Sequence, residues 1–279
     1  TTEDELDLVP NDRCSLREAV VTVNEGRALG VGGCSVSGTL GTDDRIVLPA
    51  GTYRLTRQSS LPLFTNDQDA DNLDLRADVR IEGAGAGSTV IQSRAFHWVD
   101  RFGTRFTVRE GGVLRVYEGV TARVEGVTLR GGNAMYGGGV YVGGSLTLVD
   151  VAVEGNEAEG PGAGIYNAGA LTLRRVTVSG NESDLRRDAL PARIGGGVYT
   201  TGTLDAQNVT ISGNETLASG GLFVAQGAGL TLLDSVTVTR NRAIGMDGLA
   251  FVATGGVDSM APAAQVRVLN SIIAGNVGP

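Results

Sequence analysis

The chain has 279 residues, enough for one sizeable core, and its 43 glycines lack the triplet period of collagen. Hydrophobic residues make up 41%, which excludes a disordered chain, and the net charge of −8 argues against a nucleic-acid partner. No apolar run approaches the ~20 residues a membrane-spanning helix needs. All 23 basic residues are arginine, a bias expected of a GC-rich bacterial genome or of thermal adaptation, and one that removes lysine chemistry.

In chain order, the start Thr1-Thr2-Glu3-Asp4 has no basic or apolar leader and reads as a mature form. Cys14-Ser15-Leu16-Arg17-Glu18-Ala19-Val20 predicts an amphipathic helix, with Asn11 or Asp12 available as N-cap. Cys14 and Cys34 are the two cysteines. They form either a disulfide or two buried thiols, and Asn-rich turns, commoner in secreted repeat proteins, favour the disulfide. Residues 1–43 thus read as an N-terminal cap, with the helix plugging a solenoid end and the bridge clamping the loop 30–38.

Strand-like segments follow at 45–48, 52–55, 72–75, 79–82, 89–92, 102–108 and 113–117, the irregular first coils of a solenoid spanning 44–279. Between them, Asp67, Asp69 and Asp71 alternate in an acidic loop. A hard cation such as calcium takes several such oxygens. Asn72 stands where an EF-hand needs glycine, and Leu73-Asp74-Leu75 alternates like a strand, so the candidate is a looser calcium site or a solvated loop. His97, in Phe96-His97-Trp98, reads as a packed aromatic corner.

From residue 127 to 276 one phrase recurs. Val151-Ala152-Val153-Glu154-Gly155-Asn156 returns as Val176–Asn181, Val209–Asn214, Val236–Asn241 and Ser271–Asn276, with a looser first copy at Val127–Asn133. A period of roughly 20 to 50 residues marks a repeat architecture. Each copy carries three short alternating segments, for example Gly139-Val140-Tyr141, Leu146-Thr147-Leu148 and Val151-Ala152-Val153. Period two places one face inward and one outward. The expected fold is therefore all-β: a right-handed parallel β-helix with three strands per coil, its rungs about 4.8 Å apart.

The recurring Asn133, Asn156, Asn181, Asn214, Asn241 and Asn276 then form a structural ladder at a corner whose left-handed backbone asparagine tolerates. The residue after three successive asparagines is acidic, Glu157, Glu182 and Glu215, and the next is Arg242. Carboxylates stacked about 5 Å apart repel by roughly 1 kcal/mol per pair in a water-like dielectric. Arg186, Arg187 and Arg193, in the insertion 182–195, are available to compensate. The column is either a solvated Glu–Arg ridge or a groove for a cation or basic ligand. A second insertion spans 254–264; such loops often carry binding in solenoids.

Three segments carry a resemblance: Cys14–Ala19, Arg45-Ile46-Val47-Leu48-Pro49-Ala50-Gly51-Thr52-Tyr53, and Val79-Arg80-Ile81-Glu82-Gly83-Ala84-Gly85-Ala86-Gly87-Ser88-Thr89-Val90-Ile91. Together they resemble the bacterial extracellular right-handed β-helix proteins that begin with a "CSLREA" region. The resemblance covers most of the chain. It implies a secreted or surface-attached protein, says little about activity, and suggests longer versions continuing beyond Ser271–Asn276. The repeat ends on a corner without a cap sequence, so a further domain or partner chain is expected to cover the last coil.

Enzymes on β-helices commonly cut polysaccharides, and hydrolysis needs two carboxylates about 5 to 10 Å apart. Glu154, Asp205 and Asp234 are the outward candidates, none in a recognisable motif. No nucleophile elbow, phosphate loop or zinc spacing occurs. The resulting expectation is a secreted or cell-surface protein without catalytic residues, structural or adhesin-like, binding extracellular polysaccharide or envelope protein. The alternative is a polysaccharide lyase or glycoside hydrolase.

Overall fold

The computed structural model describes residues 2–3, 13–28, 33–41, 43–56, 72–93, 96–99, 105–108, 111–183, 194–244, 255–260 and 265–278, with 96–99 and 105–108 as backbone only. The alternating segments stack as parallel strands in four sheets. Two have eight strands, starting from Arg45–Leu48 and Gly51–Leu55; one has seven, from Leu73–Leu75 to Val257–Ser259; one has five, from Asn133–Ala134 to Arg242–Ala243. This is a parallel β-helix.

One coil shows the pattern: Val140–Val142, Ser145–Val149, Ala152–Glu154 and Glu157–Ala158. Sequence periodicity gave the three longer strands. The fourth, only two residues long, falls where a corner was expected. Two residues are too few to display an alternation, but each pairs in register with the next coil.

The core is one column of inward side chains. Leu146, Leu148, Val153, Ile165, Leu173, Val178 and Val198 are fully buried. Each such burial contributes about 1.5–3 kcal/mol. Val268 and Ile273 of the last described coil register with Leu233 and Val238, yet are 45% and 46% exposed.

Helix α1, Leu16–Glu25, packs on the strands Leu73–Leu75 and Arg45–Leu48, and its Leu16, Val20 and Val23 join the core column. Its N-cap is Ser15 rather than Asn11 or Asp12, which lie outside the described residues. Ser15 accepts from the Glu18 amide at 3.1 Å, and the Glu18 carboxylate accepts from the Ser15 amide at 2.8 Å. This reciprocal box satisfies two otherwise orphaned donors. Buried Arg17 donates to the Asn72 carbonyl at 3.2 Å. Asn24 both donates to the Asp74 carbonyl and accepts from the Arg76 amide. Cys14 and Cys34 form a disulfide. The Cys-Ser-Leu-Arg-Glu phrase is therefore capping chemistry, every residue of it engaged in closing the end of the column.

A further departure is a short antiparallel hairpin, Phe96–Val99 with Arg105–Val108, where only the second strand was expected.

Candidate functional site: two columns flanking a corner

The asparagine ladder lies inside the corner. Asn181 Oδ1 accepts from the Asn156 amide at 3.1 Å and from Asn156 Nδ2 at 2.9 Å, while Asn181 Nδ2 donates to the Val153 carbonyl at 3.1 Å. Asn214, Asn241 and Asn276 repeat the pattern. Asn133 does not belong to it. Its register partner is Glu157, and Gly132 occupies the ladder position, donating its amide to Asn156 Oδ1. The extra glycine in the first copy, Gly131-Gly132, displaces the asparagine by one place.

The left-handed residue of the corner is also not asparagine. It is the preceding Gly155, Gly180 or Gly213, with Arg240 taking the same conformation at φ 55°. Asparagine is used here for its amide rather than for its backbone tolerance. The ladder is fully buried from Asn156 to Asn241.

Outside the ladder, Glu157, Glu182 and Glu215 stand in register on successive coils, as the repeat predicts. Donors flank the column at both ends: Asn133 Nδ2 bonds Glu157 at 2.9 Å, and Arg242 bonds Glu215 at 3.1 Å. Arg186, Arg187 and Arg193 lie outside the described residues, as do Asp67, Asp69 and Asp71. Among the described residues no group of three or more His, Cys, Asp and Glu side chains gathers closely enough to hold a metal.

Across the corner 159–164 rises a second column that sequence reasoning missed. Tyr141, Tyr166, Tyr199 and Phe223 occupy one register position on successive coils. Their rings stack at 5.2, 5.2 and 5.4 Å between centroids, with planes within 16°. Tyr136 leans in from the corner to 5.4 Å from Tyr166. Offset aromatic pairs at such distances contribute about 0.5–1.5 kcal/mol beyond area burial. Burial pushes the Tyr166 and Tyr199 phenols above their ordinary range. They stay protonated through neutral pH. The signal for this column was present in the phrases Gly139-Val140-Tyr141, Gly164-Ile165-Tyr166 and Gly197-Val198-Tyr199, which share an outward tyrosine.

The column continues toward the cap. Arg115 is the register partner of Tyr141, and Asp74 of Arg115. Arg115 lies over the rings of Tyr117 and Tyr141 at 4.7 and 5.0 Å, and Arg76 lies over Tyr117 at 4.5 Å. Asp74 accepts from Arg76 at 3.1 Å and from the Tyr117 hydroxyl at 2.9 Å. Burial first, then the Asp74 charge, raises the Tyr117 phenol.

Of the three carboxylates weighed for hydrolysis, Asp205 and Asp234 lie on adjacent strands, Asp234 in register with Gln207 two residues beyond Asp205, and Glu154 lies on another sheet. Glu154 stands on the sheet that begins with Gly51–Leu55, while Asp205 and Asp234 stand on the sheet that begins with Arg45–Leu48. Arg174 grips Asp205, with one contact of 3.1 Å, and Ser235 and Asn270 donate to Asp234 at 3.1 and 3.0 Å. These are surface bonding partners on an outward sheet face.

No helix among the described residues is long and apolar enough to cross a membrane. No family model matches the chain, and no curated protein matches it. A solved structure that resembles it is a pectin methylesterase mutant in complex with a hexasaccharide: 10% identity over 80% of this chain and 74% of that chain, at a TM-score of 0.40.

Proposed function

We propose that this chain is a secreted or cell-surface β-helix protein that binds an extended glycan lengthwise and does not cut it. The observation that carries the reading is the pair of in-register columns, Tyr141–Tyr166–Tyr199 and Glu157–Glu182–Glu215, on either side of one corner. Rungs about 4.8 Å apart repeat on the scale of sugars in an extended chain. Phenol groups and carboxylates hydrogen-bond sugar hydroxyls, and ring edges offer apolar contact. The disulfide supports an oxidising, extracytoplasmic compartment. The Cys-Ser-Leu-Arg-Glu-Ala phrase supports membership among bacterial envelope β-helices, where an envelope protein is the other class of partner.

The test is incubation with neutral and acidic polysaccharides, in calcium or in chelator, followed by size-exclusion of protein and glycan. Co-migration with a polymer of unchanged size is expected, with Tyr166→Ala weakening it about tenfold, the loss of one stacked aromatic contact and its hydrogen bonds. Shortening of any polymer replaces this reading with the lyase or hydrolase one. Calcium-dependent binding would point to the Asp67–Asp69–Asp71 loop or the Glu157–Glu182–Glu215 column as the cation site.

A further inference from the structure

Arg115 is the basic group of the aromatic face that has no counter-charge. Arg76, its neighbour across the Tyr117 ring, spends its charge on Asp74 and also donates to the Tyr117 hydroxyl at 3.1 Å. Arg115 registers with the same Asp74, but its described contacts are the Tyr117 and Tyr141 rings. Its Nε is buried without a partner, and its side chain is half-buried. A guanidinium carries five N–H donors in a fixed planar fork. Leaving the Nε–H unmatched costs free energy, as it does at Arg76 and Arg130, but Arg115 alone of these three has no hydrogen-bonded side-chain partner for the rest of its fork among the described residues. Contact with both rings restricts the guanidinium before anything binds.

The geometry points to Arg115 as a site for a carboxylate, and, resting on the lengthwise-glycan reading, to a glycan bearing isolated acidic sugars among neutral ones. The isolation follows from charge. The Glu157–Glu182–Glu215 column flanks the same corner, and the chain carries −8 overall. A polymer charged at every sugar would meet that column at each rung. One charged at intervals sets its carboxylate on Arg115 and runs neutral sugars along the Tyr141, Tyr166 and Tyr199 edges. The shared chemistry with a free organic acid is the planar carboxylate, and only the glycan uses the tyrosine rungs.

The experiment compares deacylated gellan, a sparsely uronated polymer, with its carboxyl-reduced form, and titrates sodium glucuronate and sodium acetate against tyrosine difference absorbance. Gellan is expected to bind about tenfold more tightly than its reduced form, the ratio a charge-assisted hydrogen bond supplies. Arg115→Gln is expected to bind both as the native protein binds the reduced one, while Arg175→Gln, in an exposed pair with Asp150 outside both columns, keeps the preference. Glucuronate is expected to perturb the tyrosines of the native protein and not those of Arg115→Gln. If Arg115→Gln fails to fold, Arg115→Lys keeps the charge, loses the fork, and is expected to show a reduced preference.

Equal binding of the two polymers, or a preference that survives Arg115→Gln, overturns the inference. So does the absence of any perturbation by glucuronate. Acetate matching glucuronate overturns the sugar-acid assignment in favour of a free carboxylate. An Arg115-dependent glucuronate signal with no polymer bound supports the carboxylate site and removes the lengthwise-glycan reading alone.

Discussion

The cap end and the regular coils hold themselves together by opposite means. At the cap each contact is made once: Ser15 with Glu18, Arg17 with Asn72, Asn24 with Asp74 and Arg76, Cys14 with Cys34. In the coils from 127 onward one contact is made repeatedly, and each asparagine bonds both the coil before it and the coil after it. A single change at the cap therefore removes one interaction with its own price, whereas a change in the ladder strands groups on two coils. The difference shows why a solenoid needs a special end: repetition satisfies every interior coil, but the first has no predecessor to receive its edge and its apolar column.

The sharpest way to break this comparison is inside the ladder. Asn181→Ala leaves the Asn156 amide and side chain without their acceptor and the Val153 carbonyl without its donor. At about 1–3 kcal/mol per stranded buried group, a loss of about 3–5 kcal/mol is expected in urea unfolding. Asn276→Ala, in the partly exposed last rung, is expected to cost about 1–2 kcal/mol. Equal losses at the two positions would show that the ladder does not act through burial.

Removing the bridge by Cys34→Ser opens a loop with a sequence separation of 20. Chain entropy puts the loss at about 3 kcal/mol, and reduction of the native protein is expected to lower the thermal midpoint in the same way. Ser15→Ala removes half the capping box and is expected to cost about 1 kcal/mol. If the regular coils unfold independently of the cap, neither change will shift their far-ultraviolet transition.

The shallowest effect belongs to the aromatic column. Tyr166 and Tyr199 have folded-state pKa values raised by burial above the ordinary 10.0. The stability they contribute is present below that ordinary value and is lost as pH rises through the folded one. Stability is expected to hold flat through neutral pH and to fall above about 10, with tyrosinate absorbance appearing alongside unfolding. Ionisation of every tyrosine well before unfolding would show the column to be solvated.

Much of the fold could be read before any coordinates. Alternation at Val151–Val153 and its copies, and the phrase ending in Gly-Asn, encode strands and corners locally, because period two and a left-handed glycine are properties of the backbone itself. The Glu157–Glu182–Glu215 register was legible for the same reason: equal repeat length stacks equal positions. Where the copy was unequal the inference slipped. One added glycine moved Asn133 out of the ladder and beside Glu157.

Tertiary structure alone decided the rest. It chose Ser15 over Asn11 or Asp12 as helix cap, since capping depends on where the chain turns. It gave the Asp74 carboxylate to Arg76 rather than to Arg115, which only the strand register brings beside it. It also turned scattered tyrosines into one stacked column, and put Glu154 on a different sheet from Asp205 and Asp234. Repetition by itself set which residues lie above one another; which of those neighbours bond depended on side-chain reach and burial, which exist only once the coils are stacked.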